Sequence, residues 1–114
     1  MQGDEAPVQC RLDLTSTSEG SWRYSFSVSL AQIEYFVAVA DHGHVGRAAA
    51  ELRVAQPAVS RQIRRLEDEL GRSLFVRTPR GMKLSDAGAI FLSRARIILE
   101  SVRDAANEVR RLRT

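Results

Sequence analysis

Only two residues, Val54 and Ala55, separate the segment GRAAAELR (46–53) from the segment QPAVSRQIRRLEDEL (56–70). Each segment reads as a helix, and so short a link forces the two to cross at a steep angle rather than run on. The first is rich in alanine, the strongest helix former. The second carries Val59, Ile63, Leu66 and Leu70 at spacings of 4, 3 and 4, one apolar stripe. Pro57 stands in its first turn, where a missing N–H leaves no bond unmade, and Gly71 follows as its cap. A further helical stripe precedes the pair in SLAQIEYFVAVADHG: Leu30, Ile33, Phe36, Val37 and Ala40, closed by Gly43 as a left-handed cap. Helix, short helix, tight turn and helix together make a helix-turn-helix plan.

Two further elements complete the architecture. Residues 74–76 and 82–84 read as short strands around the turn TPRG, a β-hairpin. Ser85 and Asp86 then open a helix to about residue 112. Phe91, Ala95, Ile98, Val102, Ala105, Val109 and Leu112 recur along it at 4, 3, 4, 3, 4 and 3, an unbroken heptad seam. A helix of about 27 residues is about 40 Å long, too long to hide that seam inside so small a body. The expectation is a second copy of the helix against it. The fold expected is therefore mainly α: a winged helix-turn-helix of three helices plus a short β-hairpin wing, residues 28–85, followed by a long linker helix, 86–114. Residues 1–27 show no sustained period and read as an extension with little order of its own.

Charge says what the second helix of the pair meets. The chain carries +3 overall, but unevenly. Residues 1–28 hold two basic and four acidic side chains, residues 29–114 fifteen and ten. Residues 53–83 alone hold eight and three, a balance of +5. All but Lys83 of the seventeen basic residues are arginine, whose planar fork matches phosphate and the guanine edge. Arg61, Arg64 and Arg65 lie toward the front of helix 56–70, and Glu67, Asp68 and Glu69 toward its end. The front can therefore meet a polyanion. Gln56 can bond an adenine edge, Pro57 and Ala58 can touch thymine methyls, and Ser60 and Arg61 can reach bases or phosphates. Arg64 and Arg65 either join them, pair with the acids at helical spacing, or form a plain solvated face. In the hairpin, Arg77, Arg80 and Lys83 surround Gly81. An arginine at such a tip suits a narrow, strongly negative minor groove.

These residues carry a specific resemblance. YFVAVADHG, AAAELRVAQPAVSRQIRRLEDELG, LFVRTPRGMKLSDAG and the helix after them resemble, in order and without gaps over residues 28–112, the DNA-binding domain of a LysR-type transcriptional regulator. The resemblance implies a bacterial, cytoplasmic, nucleoid-associated regulator. It implies a homodimer whose linker helices pair antiparallel and present two reading helices to an imperfect inverted repeat of double-stranded DNA. Residues matching Gln56, Pro57, Ala58, Ser60 and Arg61 would enter the major groove. Arg80 would approach the minor groove, and Arg77 the backbone. The family carries a larger effector-binding domain after the linker helix, so the chain is expected to be the excised or truncated front of a longer protein, in which a contact to RNA polymerase is possible. Val28 stands where members begin with methionine, so either translation starts there or residues 1–27 are a real but accessory extension.

The sequence departs from the pattern at two caps. His44-Val45-Gly46 replaces the usual Ser-Phe-Thr, and the reading is that Gly46 becomes the cap of the short helix and loses a hydroxyl that touches phosphate. Ala55 replaces a frequent Ser or Thr. No catalytic site is expected, because His42 and His44 flank Gly43 without a nucleophile or carboxylate cluster, and His44 reads as a surface or cap residue. No cofactor or metal is expected, since one cysteine and two such histidines make no zinc set. Cys10 alone allows no internal disulfide, which fits a reducing compartment. The N-terminus lacks the apolar run of a signal peptide, and no eighteen-residue apolar stretch exists to span a membrane. The rival class is a coiled-coil adapter, which explains the heptads but not the arginines.

Overall fold

The computed structural model describes residues 27–113. Four helices and one hairpin lie among them: α1 Leu30–His42, α2 Val45–Leu52, α3 Gln56–Leu70, β1 Phe75–Thr78, β2 Gly81–Leu84 and α4 Asp86–Arg111. The expectation for residues 1–27 lies outside the described residues, save Ser27, whose N–H donates to Glu69 Oε2 at 2.9 Å.

Local chemistry sets each boundary. Ser29 caps α1 through a reciprocal pair: its hydroxyl accepts from Gln32 N at 3.1 Å, and Gln32 Oε1 accepts from Ser29 N at 3.2 Å. Gly43 and Gly71 close α1 and α3 in the left-handed conformation, φ 65° and 74°, as their sequence positions foretell. Arg53, expected inside α2, instead closes it at φ 61°. The cap of α2 corrects the reading of Gly46. It is His44, whose Nδ1 accepts from Arg47 N at 3.2 Å, while Gly46 lies within the first turn. Ala55 gives α3 no side-chain cap, as its substitution implies.

The core draws on every helix and on β1. Phe36, Val39, Ala48, Val59, Leu66 and Ala95 are fully buried, with Ile33, Ala49, Ile63, Leu74 and Phe75 nearly so. Phe36 is the hub, with ring centroids 5.3 Å from Phe75 and 5.2 Å from Phe91, the latter edge to face. Truncating such a ring typically costs about 3–5 kcal/mol. The expected stripe of α1 is shifted: Val39 turns fully inward, whereas Leu30 at the helix start is exposed.

Two contacts root the long helix in this body. Gly88 is buried where a Cβ would stand 2.1 Å from Leu74 O, so only glycine lets α4 pass the start of β1. Arg96 Nη2 then donates to Asp41 Oδ1 of α1 at 2.6 Å. Ser85 ties the junction, accepting from Gly88 N at 3.0 Å and donating to Ser73 O at 2.7 Å.

The hairpin is antiparallel, with Phe75 opposite Leu84, Arg77 opposite Met82 and Thr78 opposite Gly81. Its base is fixed from α3, since Glu67 Oε2 accepts from Leu74 N at 2.8 Å. Its other side is fixed from the turn after α1. Met82 N donates to Gly43 O at 2.9 Å. Gly81, at φ 132°, comes so close there that a Cβ would sit 2.3 Å from that carbonyl oxygen.

Candidate nucleic-acid interface

α3 has two faces with opposite tasks. Val59, Ile63 and Leu66 point into the core, so Pro57, Ser60, Arg61 and Arg64, on the other side of the helix, point out. Gln56, Pro57, Arg61 and Arg64 are exposed, while Ala58 and Ser60 are half-buried. Gln56 and Ser60 line a groove whose other wall is Arg77, Thr78, Pro79, Arg80, Gly81 and Met82 of the hairpin. His44, Val45 and Gly46 close its third side. Arg64 belongs to the adjoining depression, with Ser60, Glu67 and Arg77. Arg77 and Arg80 thus flank the groove opposite the amide and hydroxyl of α3, and both are exposed. Arg77 and Arg80 bring two permanent positive charges to the groove and Arg64 a third to the adjoining depression, while Arg61 is exposed on the outward face of α3.

Two of the three acids behind Arg64 and Arg65 are engaged elsewhere. Glu67 holds Leu74 N and Glu69 holds Ser27 N. Among the described residues neither Arg64 nor Arg65 forms an ion pair with them, so pairing along the helix is not what neutralises this face. Gln62, half-buried, accepts from Gln32 Nε2 at 3.2 Å and braces α3 against α1.

The heptad seam of α4 divides between two surroundings. Phe91 packs on Phe36, and Ala95 is fully buried in the same core. From Ile98 onward the seam is open: Ile98, Val102 and Val109 are 37%, 45% and 71% exposed, and Ala105 is exposed too. Leu112 caps the helix end. Ile90 and Ile97, off the seam, are also exposed.

Sequence reasoning missed the contribution of His44, Gly46, Thr78 and Pro79 to the groove. The signal was there in the exchange at residues 44–46, which read as a loss of hydroxyl.

Residues 30–89 match the family model described as the bacterial regulatory helix-turn-helix protein, lysR family. The chain belongs to the LysR family. It carries that family's helix-turn-helix DNA-binding domain. It is 46% identical over 86 residues to YnfL, an uncharacterized HTH-type transcriptional regulator of Escherichia coli (strain K12), covering 75% of this chain and 29% of the relative. The fold is similar to a crystal structure of the CbnR DNA-binding domain in complex with DNA (TM-score 0.69, 41% identity, 72% of this chain and 94% of that one). It is likewise similar to the BenM DNA-binding domain on catB site 1 DNA (TM-score 0.71, 37% identity, 73% and 93%). The chain spans less than a third of the length of the LysR-family regulators YnfL and TfdS. Among the described residues no helix is long and apolar enough to cross a membrane, and no His, Cys, Asp and Glu side chains gather as a metal set.

Proposed function

We propose that this chain binds double-stranded DNA sequence-specifically as a homodimer, residues 28–85 forming the reading unit and 86–114 the pairing helix. One observation carries the reading: Gln56 and Ser60 open onto the groove that Arg77 and Arg80 flank, while the core holds the opposite side of α3. α3 enters the major groove. Gln56 and Ser60 meet base edges, Pro57 and Ala58 the thymine methyls, Arg61 and Arg64 bases or adjacent phosphates. Arg80 at the hairpin tip takes the minor groove and Arg77 the backbone. In the pair, Ile98, Val102, Ala105 and Val109 of two antiparallel α4 helices cover one another, with Leu112 at the margin. Phe91 and Ala95 support the pair from within each body. The two reading units then face half-sites of an imperfect inverted repeat. The support is the outward polar face, the open half of the seam, and two relatives of the same fold solved on DNA. In a longer regulator this unit would work on the bacterial nucleoid under the control of an effector domain, within reach of RNA polymerase.

Titration with duplex DNA across a salt series tests this. A regulator loses affinity with a log–log slope of about −0.9 for each phosphate neutralised. A coiled-coil adapter retains no duplex at any salt concentration, and that result would overturn the proposal.

A further inference from the structure

The turn into α2 holds an exchange. His44 caps the helix with Nδ1, which accepts from the backbone N–H of Arg47. A nitrogen that accepts carries no proton, so the ring proton of neutral His44 sits on Nε2. That donor has no protein partner among the described residues, and the side chain is exposed on the wall of the groove. Gly46 explains how the ring comes to be there. A Cβ at residue 46 would lie 2.8 Å from His44 Cε1, 3.1 Å from His44 Nδ1 and 3.3 Å from Gln56 Oε1. Gly46 does not have positive φ, so its backbone makes no demand for glycine. What bears on residue 46 is the imidazole, which occupies the space a Cβ would take and would be displaced by one.

Resting on the DNA-binding reading of the groove, we propose that His44 contacts DNA in this chain, donating Nε2–H to a backbone phosphate beside the base that Gln56 reads. Gly46 is the positioning residue that makes room for it. A phosphate is the fitting acceptor, because in a helix-turn-helix the helix before the reader crosses the DNA backbone. An N–H to an anionic oxygen is also about twice as strong as a neutral pair.

The test uses the 114-residue chain, a duplex retained by the unmodified protein from a random pool, and a double-mutant cycle on His44→Ser and Gly46→Ala. Serine keeps an oxygen at the cap position, and urea unfolding checks that each variant folds. His44→Ser should weaken binding about tenfold, the scale of one charge-assisted hydrogen bond. A set of duplexes, each with one phosphate replaced by an uncharged methylphosphonate, then locates the acceptor. At one position in each half-site the replacement should weaken the unmodified chain about tenfold more than the His44→Ser variant. Gly46→Ala should weaken binding as His44→Ser does in the original background. It should do almost nothing when His44 is already serine, because the notch is then empty. Equal effects of every methylphosphonate on the unmodified chain and on His44→Ser overturn the phosphate contact. An equal loss from Gly46→Ala in both backgrounds overturns the positioning role. An unmodified chain that retains no duplex overturns the DNA reading itself, and the role of His44 with it.

Discussion

Replacing Gly81 by alanine should dislodge the wing while leaving the helical core in place, and Gly71→Ala supplies the control that isolates the cause. Both glycines have positive φ, 132° and 74°. At Gly71 a Cβ would meet nothing within 4 Å, so the alanine carries only backbone strain, about 1–2 kcal/mol for a left-handed residue. At Gly81 the same methyl would stand 2.3 Å from Gly43 O, where ordinary contact begins at 3.4 Å. The hairpin must therefore retreat by about 1.1 Å (3.4 − 2.3) from that carbonyl. Retreat strips the Met82 N to Gly43 O bond of its 2.9 Å geometry, a loss of about 1 kcal/mol, on top of strain of about 1–3 kcal/mol. The sum is about 2–4 kcal/mol. For a domain of this size each kcal/mol moves Tm by about 4–8 °C, so the Gly81 variant should melt about 8–32 °C lower and the Gly71 variant about 4–16 °C lower, the Gly81 loss being the larger of the two. Because Arg77 and Arg80 ride on the hairpin, the Gly81 variant should also bind duplex more weakly at temperatures where it is still folded. Calorimetry and duplex titration on both variants read this out. If Gly81→Ala is no more destabilising than Gly71→Ala, the carbonyl contact does not hold the wing and the reasoning fails.

Ile98→Asp places a carboxylate on the open face of α4 and, in a two-fold pair, does so twice. Ile98 is 37% exposed in the single chain, so pairing adds about 0.5–1 kcal/mol of apolar burial per copy, and desolvating two carboxylates costs more than that; dimer affinity should fall at least about tenfold by analytical ultracentrifugation, and a dimer surviving at the original concentration rejects the seam. Gln56→Ala and Ser60→Ala should each relax base choice at one position by about 1–3 kcal/mol, measured as the ratio of affinities for the selected duplex and a randomised one. Unchanged ratios for both would mean that α3 reads sequence through other residues.

Helix ends and the core stripe of α3 were legible because their signals are local. Gly43, Pro57 and Gly71 act within a turn of where they stand. The plan of helix, short helix, helix and hairpin follows from spacing alone. Periodicity does not reveal what covers each position. The seam of α4 reads as one uniform row, yet Phe91 and Ala95 are taken up by Phe36 and its neighbours, a contact 55 residues apart in the chain for the two rings (91 − 36). Leu30 fits the period of α1 but stays exposed at the helix's first residue, whereas Val39, off the stripe as read, is fully buried. His44 read as a surface or cap residue and is both; what stayed obscure was Gly46, which acquires its meaning only when the ring is seen folded over it.

The junction at Gly88, with the Arg96 to Asp41 bond further along the same helix, leaves α4 no hinge at its root. It behaves as a lever welded to the body that holds α3. A tilt of about 10° over a lever of about 40 Å sweeps about 7 Å at the far end, close to two base-pair steps at about 3.4 Å each. In the proposed pair, a small turn where two such levers cross would change the spacing of sites that the pair can span.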